Sequence, residues 1–148
     1  MILKEEKRDL FNVSDEYYLA HCISADFGMG KGIVVEFNKR YNLKNVLVKK
    51  YPNYIKEWDC NYEEDNPCIL EDRVFNLITK RNYWGKPTYI TLEDSLIAMK
   101  SIALLHGINK IAMPKIGCGL DKLEWNKVKE IITNTFEDMD IEILVCSL

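Results

Sequence analysis

Ile111-Ala112-Met113-Pro114-Lys115-Ile116-Gly117-Cys118-Gly119-Leu120-Asp121 is the stretch on which the reading of this chain turns. Its opening apolar run reads as a strand, its two close glycines as a sharp exit, and Asp121 as an acid at the start of a helix. A strand exit of this kind brings backbone N–H groups within reach of a phosphate and holds a carboxylate beside it. It is a place to bind and cut something phosphorylated. A second loop of the same kind, Gly28-Met29-Gly30-Lys31-Gly32, follows the apolar run Tyr18-Leu19-Ala20-His21-Cys22-Ile23 and precedes the amphipathic Ile33-Val34-Val35-Glu36-Phe37. Two such loops in one short chain point to a diphosphate held between them.

Outward from these loops, strands are predicted at residues 1–4 and 17–23, followed by a helix from about Gly30 to Asn42 carrying Ile33, Val34, Phe37 and Tyr41 on one face. From residue 43 to 66 the pattern weakens: Tyr51-Pro52-Asn53-Tyr54 is turn-like, Trp58 and Tyr62 are aromatic, and Glu63-Glu64-Asp65-Asn66-Pro67 is a polar break. Ile69-Leu70 and Arg73-Val74-Phe75-Asn76-Leu77-Ile78 read as a hairpin turned at Glu71-Asp72, and residues 81–89 as a loop. Thr91-Leu92-Glu93-Asp94 resembles a capping box opening a helix with Leu92, Leu96, Met99, Ile102, Ala103 and Leu105, closed by Gly107. A strand at 110–113, a helix at 124–136 and a strand at 141–146 complete the chain. Alternating strands and helices with nearly continuous apolar runs predict an α/β sandwich covered on both faces, with ligands beyond the carboxyl ends of the strands.

Composition sets the outer bounds. A chain of 148 residues fits one domain, 1–148, and is long enough to bury roughly 70% of its unfolded surface. Its 20 Lys+Arg against 23 Asp+Glu leave a net charge of −3, which argues against a broad electrostatic nucleic-acid binder. Phosphate recognition should therefore be local. Five cysteines without a Cys-x-x-Cys pair read as reduced thiols in a cytoplasmic-type compartment. No apolar stretch approaches a membrane span, and the charged opening Lys4-Glu5-Glu6-Lys7-Arg8 lacks a signal-peptide core, so no membrane association is expected. A monomer is the default expectation.

Each motif also has a plainer reading. Loops use glycine for positive φ whatever they bind, and this spacing is neither the dinucleotide fingerprint nor a P-loop, so Lys31 need not touch phosphate. Asp121 reads equally as a helix cap, and Lys80 as a solvated lysine at a strand end. His21 lies in a buried-looking run and reads as a core histidine, and His106 as a partner of a helix dipole. Cys60 and Cys68 have no nearby histidine and make a poor zinc site. Cys118 as a thiol nucleophile lacks an evident base. Trp58, Trp84 and Trp125 read as packing residues, although Trp84 stands in a loop that could meet a ligand.

The blocks Ala20-His21-Cys22-Ile23-Ser24 with Gly28-Met29-Gly30-Lys31-Gly32-Ile33, Leu77-Ile78-Thr79-Lys80 with Lys86-Pro87-Thr88-Tyr89, and Met113 through Asp121 together resemble the macrodomain family. The likeness is to its terminal ADP-ribose protein glycohydrolase branch, related to the macrodomain of the ALC chromatin remodeller and to bacterial antitoxins that remove ADP-ribose from DNA. It runs from about Asp9 to the C-terminus. It implies a three-layer α/β/α fold around a central mixed sheet, with ADP-ribose and ADP-ribosylated protein or DNA as partners, DNA repair as a setting, and neither cofactor nor metal. Position by position, Asp9 and Leu10 would meet the adenine. Ser24, Met29, Gly30 and Gly32 would line the diphosphate and distal ribose, with His21 counted beside them. Thr79, Pro114, Ile116, Gly117, Cys118, Gly119 and Leu120 would close the pocket, and Lys80 and Asp121 match the catalytic pair. The Asn-Ala-Asn motif of other hydrolytic macrodomains is absent, Ile23-Ser24-Ala25-Asp26 standing instead. Arg8 and Cys146 depart from the pattern, leaving the adenine end less closely matched than the catalytic end.

The residue types suit that chemistry. An amine such as that of Lys80 can attack the ring-opened distal ribose at C1″ and form a Schiff base, while Asp121 moves protons at the ribose and the departing group. A nearby carboxylate favours the charged ammonium and burial favours the neutral amine. The residues equally permit Asp121 as base for direct attack by water, with Lys80 stabilising charge. Three functions follow as expectations: a glycohydrolase acting on acidic side chains or nucleic-acid bases, with O-acyl-ADP-ribose as a small substrate; a non-catalytic ADP-ribose reader; and a nucleic-acid-binding module, disfavoured by the charge.

Overall fold

The computed structural model describes residues 1–60 and 67–148 of the chain, without the side chains of residues 59 and 60. Tyr62 and the polar break at 63–66 lie outside the described residues, as does the side chain of Cys60. Among the described residues, six strands form one sheet: β1 (Ile2–Lys7), β2 (Tyr18–Ser24), β3 (Cys68–Glu71), β4 (Val74–Lys80), β5 (Lys110–Met113) and β6 (Glu142–Ser147). Their order is β1-β6-β5-β2-β4-β3, parallel throughout except for β3, which runs antiparallel to β4. Among the described residues, five α-helices lie between them: α1 (Val34–Tyr41), α2 (Leu43–Lys50), α3 (Tyr54–Cys60), α4 (Tyr89–His106) and α5 (Trp125–Phe136).

β4 shows why the apolar runs are nearly continuous. Every residue from Val74 to Thr79 is buried, because both faces of the strand are covered. Phe75 and Leu77 join Leu92, Leu96, Met99, Val128 and Phe136 on the α4–α5 side. Val74 and Ile78 join Leu19, Phe37, Leu43 and Leu47 on the α1–α2 side. The three layers and the mixed sheet are those the sequence implied.

Several boundaries moved. α1 begins at Val34 rather than Gly30, because Gly32 takes φ +78° and breaks any helix running through it. It ends as read, at Asn42 with φ +53°, and α2 starts immediately after. α2 and α3 occupy the stretch that carried no clear period. The hairpin turn is Asp72-Arg73, since Glu71 already pairs with Val74 and Asp72 takes the left-handed conformation, φ +56°. The cap of α4 is Thr88, three residues before the expected Thr91: Thr88 Oγ1 accepts from the Thr91 N–H, and Thr91 Oγ1 accepts from the Thr88 N–H. Gly107 closes α4 as read, with φ +66°, and His106 stands in its last turn. Asp121 opens no helix: it lies in a run of turns, and the residue preceding α5 is Glu124. Its helix-cap reading is thereby overturned.

Candidate active site

Because β2, β4 and β5 run parallel, their carboxyl ends emerge on one edge of the sheet, and the two glycine loops and Lys80 emerge with them. The register of β2 on β4 slips after Ile23, so that Ser24 pairs with Lys80. The Ala25 N–H then donates to the Lys80 carbonyl at 2.9 Å, and the Asp26 N–H to that of Arg81 at 3.1 Å. Chain beyond both strands is tied together before it diverges.

Asp26 extends that tie. Its carboxylate accepts from Ser24 Oγ and from the N–H groups of Gly28 and Tyr83, each N–H at 3.0 Å. Burial pushes this carboxyl upward, but the hydrogen bonds outweigh it and hold Asp26 below the usual carboxylate range. Gly28 is pressed against the other loop: a Cβ there would stand 2.8 Å from Tyr83 Cβ. The sequence reading missed Asp26, although Asp-x-Gly is an Asx-turn signal that could have marked it.

The second glycine loop is built of consecutive turns. Gly117 takes φ +73°, its carbonyl accepts from the Leu123 N–H at 2.8 Å, and an added Cβ would sit 2.9 Å from Leu123 Cδ1. This folding swings Asp121 back over the sheet edge, where its Oδ1 lies 2.7 Å from Lys80 Nζ. Both side chains retain 15% exposure, enough to touch a ligand yet mostly screened from water. Lys86 Nζ donates to the Leu120 carbonyl at 3.0 Å, strapping the loop after β4 to the loop after β5. Leu120 in turn lies against Gly32, where a Cβ would come within 3.3 Å of it.

Between the loops lies a groove of about 1040 Å³. Ser24, Met29, Gly30 and Gly32 line one wall; Ile116, Gly117 and Leu120 line the other, with Lys80 and Asp121 between. An adjoining hollow of about 680 Å³ shares Ile33, Pro114, Lys115 and Gly119 with it, and adds Asp9, Leu10 and Cys118. Arg8 and Cys146, the two departures from the family pattern, both line this hollow. Phe11 forms another part of its wall, with the Arg40 guanidinium 4.5 Å from the ring centroid. The Asp9 carboxylate accepts from the Phe11 N–H at 2.9 Å, and Asp9 lines the hollow.

Two residues of the expected pocket are not on its surface. Thr79 is buried beneath it. His21 is fully enclosed, stacked on Phe37 at 3.9 Å between ring centroids, with Nε2 2.6 Å from Asn76 Oδ1. Asn76 Nδ2 donates to the Ile69 and Val74 carbonyls, so its Oδ1 is the acceptor and His21 Nε2 carries the proton. His21 is a core histidine, as its own run indicated, and its inclusion among the binding residues is corrected. Both thiols near the ligand space are poor nucleophiles. Burial, reinforced by the Asp121 charge, pushes Cys22 up to about 12, and burial also raises Cys118, whose Sγ–H donates to the Ile116 carbonyl.

Lysine 31, lysine 44, Lys86, Lys115 and Lys122 also face the groove, so local positive charge gathers there in a chain of net charge −3. Tyr83 and Trp84 stand at its rim in an edge-to-face pair, 5.0 Å between centroids and well exposed. Trp84 is thus a rim residue rather than a packing residue.

No family model matches the chain. Among solved structures it is similar to the macrodomain of Mycobacterium tuberculosis DarG, at TM-score 0.78 and 20% identity over 99% of this chain and 98% of that one. It is also similar to Thermosipho africanus DarTG in complex with ADP-ribose, at TM-score 0.75 and 19% identity, covering 99% of this chain and 42% of that one. In sequence it is 40% identical over 146 residues to the ADP-ribose glycohydrolase OARD1 of Homo sapiens, 96% of this chain and 89% of the relative. The Bos taurus protein of that name matches to the same extent. The chain belongs to the macrodomain family. Within that family, the relatives it most informatively resembles carry the name ADP-ribose glycohydrolase.

Proposed function

We propose that this chain is an ADP-ribosyl glycohydrolase, a hydrolase that removes mono-ADP-ribose from acidic side chains of proteins or from nucleic-acid bases, with O-acyl-ADP-ribose as a small substrate. The observation that carries the reading is the Lys80 Nζ–Asp121 Oδ1 contact of 2.7 Å, set in a groove between two loops rich in backbone N–H groups. In this reading the adenine lies in the hollow beside Asp9 and Leu10, and the diphosphate crosses between the glycine loops. The distal ribose then reaches the Lys80–Asp121 end.

Asp121 accepts a proton from the Lys80 ammonium, and the free amine bonds to C1″ as the bond from C1″ to the substrate's carboxylate or base breaks, that group leaving with the electron pair. One N–H proton then moves to O4″ as the C1″–O4″ bond opens, which leaves a protonated Schiff base; water adds at C1″, the Lys80 amine departs, and ADP-ribose is released. No step requires a metal. The family resemblance and the relatives' names support the reaction class; the residue roles rest on geometry. The cytoplasm is the setting proposed, on the ground that the four described cysteines are free thiols. No helix among the described residues is long and apolar enough to cross a membrane.

The test is a side-by-side release assay on glutamate-linked, serine-linked and thymidine-linked ADP-ribose. Free ADP-ribose from the glutamate-linked or thymidine-linked substrate is the expected result. Saturable binding of all three without release would replace the enzyme by a reader module.

A further inference from the structure

The group that leaves C1″ is not part of ADP-ribose, so its recognition falls to the edge of the groove rather than to the glycine loops. The loop 81–87 occupies that edge. It begins at the residue after Lys80, and its Lys86 Nζ donates to the carbonyl of Leu120, the residue before Asp121. Tyr83 and Trp84 therefore stand on a bridge that joins the two ends of the Lys80–Asp121 pair, and both line the groove.

Neither ring fills a core. Tyr83 is 59% exposed and Trp84 69%, yet the backbone beneath them is fixed. The Tyr83 N–H donates to Asp26, the Gly85 N–H donates to the Asn82 carbonyl at 3.0 Å, and Gly28 admits the Tyr83 Cβ only because it has no side chain of its own. Two rings held edge to face in water offer a flat, pre-positioned apolar surface. The face of an aromatic ring carries negative charge density and repels a carboxylate. Every nucleobase, by contrast, has a π face that stacks on such a ring.

Charge around the groove points the same way. Among the described residues Asp121 is the one carboxylate lining it, and Lys80 neutralises that charge. Lys31, Lys44 and Lys122 line it as well, with no acidic partner among the described residues. Free ammonium groups beside a stacking surface suit the phosphates on either side of a base. An acidic peptide would satisfy these lysines but leave both rings in water, so the rings decide between the two leaving groups. We infer, on the glycohydrolase reading above, that Tyr83 and Trp84 are the seat of the leaving group and select a base of a nucleic acid over an acidic side chain. The strand must be single, because a base paired and stacked in a duplex is not free to lie on Trp84.

The test compares kcat/KM of the full chain for ADP-ribose release from a thymidine-linked single-stranded oligonucleotide and from a glutamate-linked peptide. The natural chain is expected to favour the oligonucleotide. Trp84→Ala is expected to lower the ratio of the two values by about tenfold or more, as for one lost stacking partner. Trp84→Phe keeps a ring and should restore most of that ratio. Because Trp84 is largely in water, both variants should fold, which a melting curve checks. A natural chain that favours the peptide, or a Trp84→Ala variant with an unchanged ratio, overturns the inference and leaves the glycohydrolase reading in place. Release from neither substrate overturns both.

Discussion

Lys80 ends a strand and Asp121 lies in a turn 41 residues away, yet their side chains meet at 2.7 Å. Neither residue announces this in the sequence. A lysine at a strand end is ordinarily solvated, and an acid after glycines is ordinarily a cap; the glycine loop drew attention to Asp121, and only the match to family blocks paired it with Lys80. Asp121 caps no helix, so what its loss removes is the pairing with Lys80. Asp121→Ala is expected to lower ADP-ribose release by roughly 10²–10⁴, the range for a lost acid–base group. Because the change leaves the mostly enclosed Lys80 ammonium unpaired, its unfolding free energy should also fall, by about 1–3 kcal/mol in a urea titration, with the variant still folded at 25 °C.

Gly117 is a second residue whose identity geometry dictates. Its φ of +73° and the 2.9 Å that would separate a Cβ from Leu123 leave little room for any other side chain. Gly117→Ala should cost about 1–3 kcal/mol of stability and weaken ADP-ribose binding, both measurable on one purified variant by thermal melting with and without ligand.

At the scale of elements, the strands and α4 were legible because burial on both sheet faces writes long apolar runs, and β4 is the clearest case. α2 and α3 were not legible. Each is short, and α2 buries only Leu43 and Leu47, so no period had room to show. The start of α4 was misplaced for a different reason: Thr91 is part of a capping box, but as its third helical residue rather than its cap. The two threonines share the capping bonds, so Thr88→Ala is expected to cost about 1 kcal/mol, read from the urea midpoint at unchanged slope. The same cap fixes where Lys86, two residues earlier, can strap Leu120. The glycine loops were found by composition, whereas the Asp26 tie that presses the Gly28 loop toward the Tyr83 loop was not. The Asp26 turn onto the Gly28 N–H is local, but the N–H it recruits from Tyr83, 57 residues away, shows nowhere beside it in the sequence.

For the whole molecule, the three-layer architecture followed from alternation of strands and helices, while strand order and the groove's two compartments required the structure. Global stability should carry a pH signature from the core. Burial drives the His21 ring from 6.5 down to about 4, partly offset by its bond to Asn76. The unfolded chain therefore binds more protons than the folded one between these values. This contribution is full above pH 6.5 and disappears as the pH falls through 4, amounting to at most about 3 kcal/mol. Urea unfolding from pH 7 to pH 4 should show stability falling with pH, and His21→Gln should flatten that slope; an equal slope in the variant would remove His21 as its source.

The proposed chemistry requires Lys80 to act at the distal ribose rather than merely line the groove. The direct measurement is ADP-ribose release by Lys80→Ala from the substrate the natural chain turns over, with binding of free ADP-ribose titrated on the same preparation. We expect turnover to fall by at least about 10³, as for loss of a covalent nucleophile, with the dissociation constant changed less than about threefold. Release at the natural rate by a variant that binds normally would contradict the account.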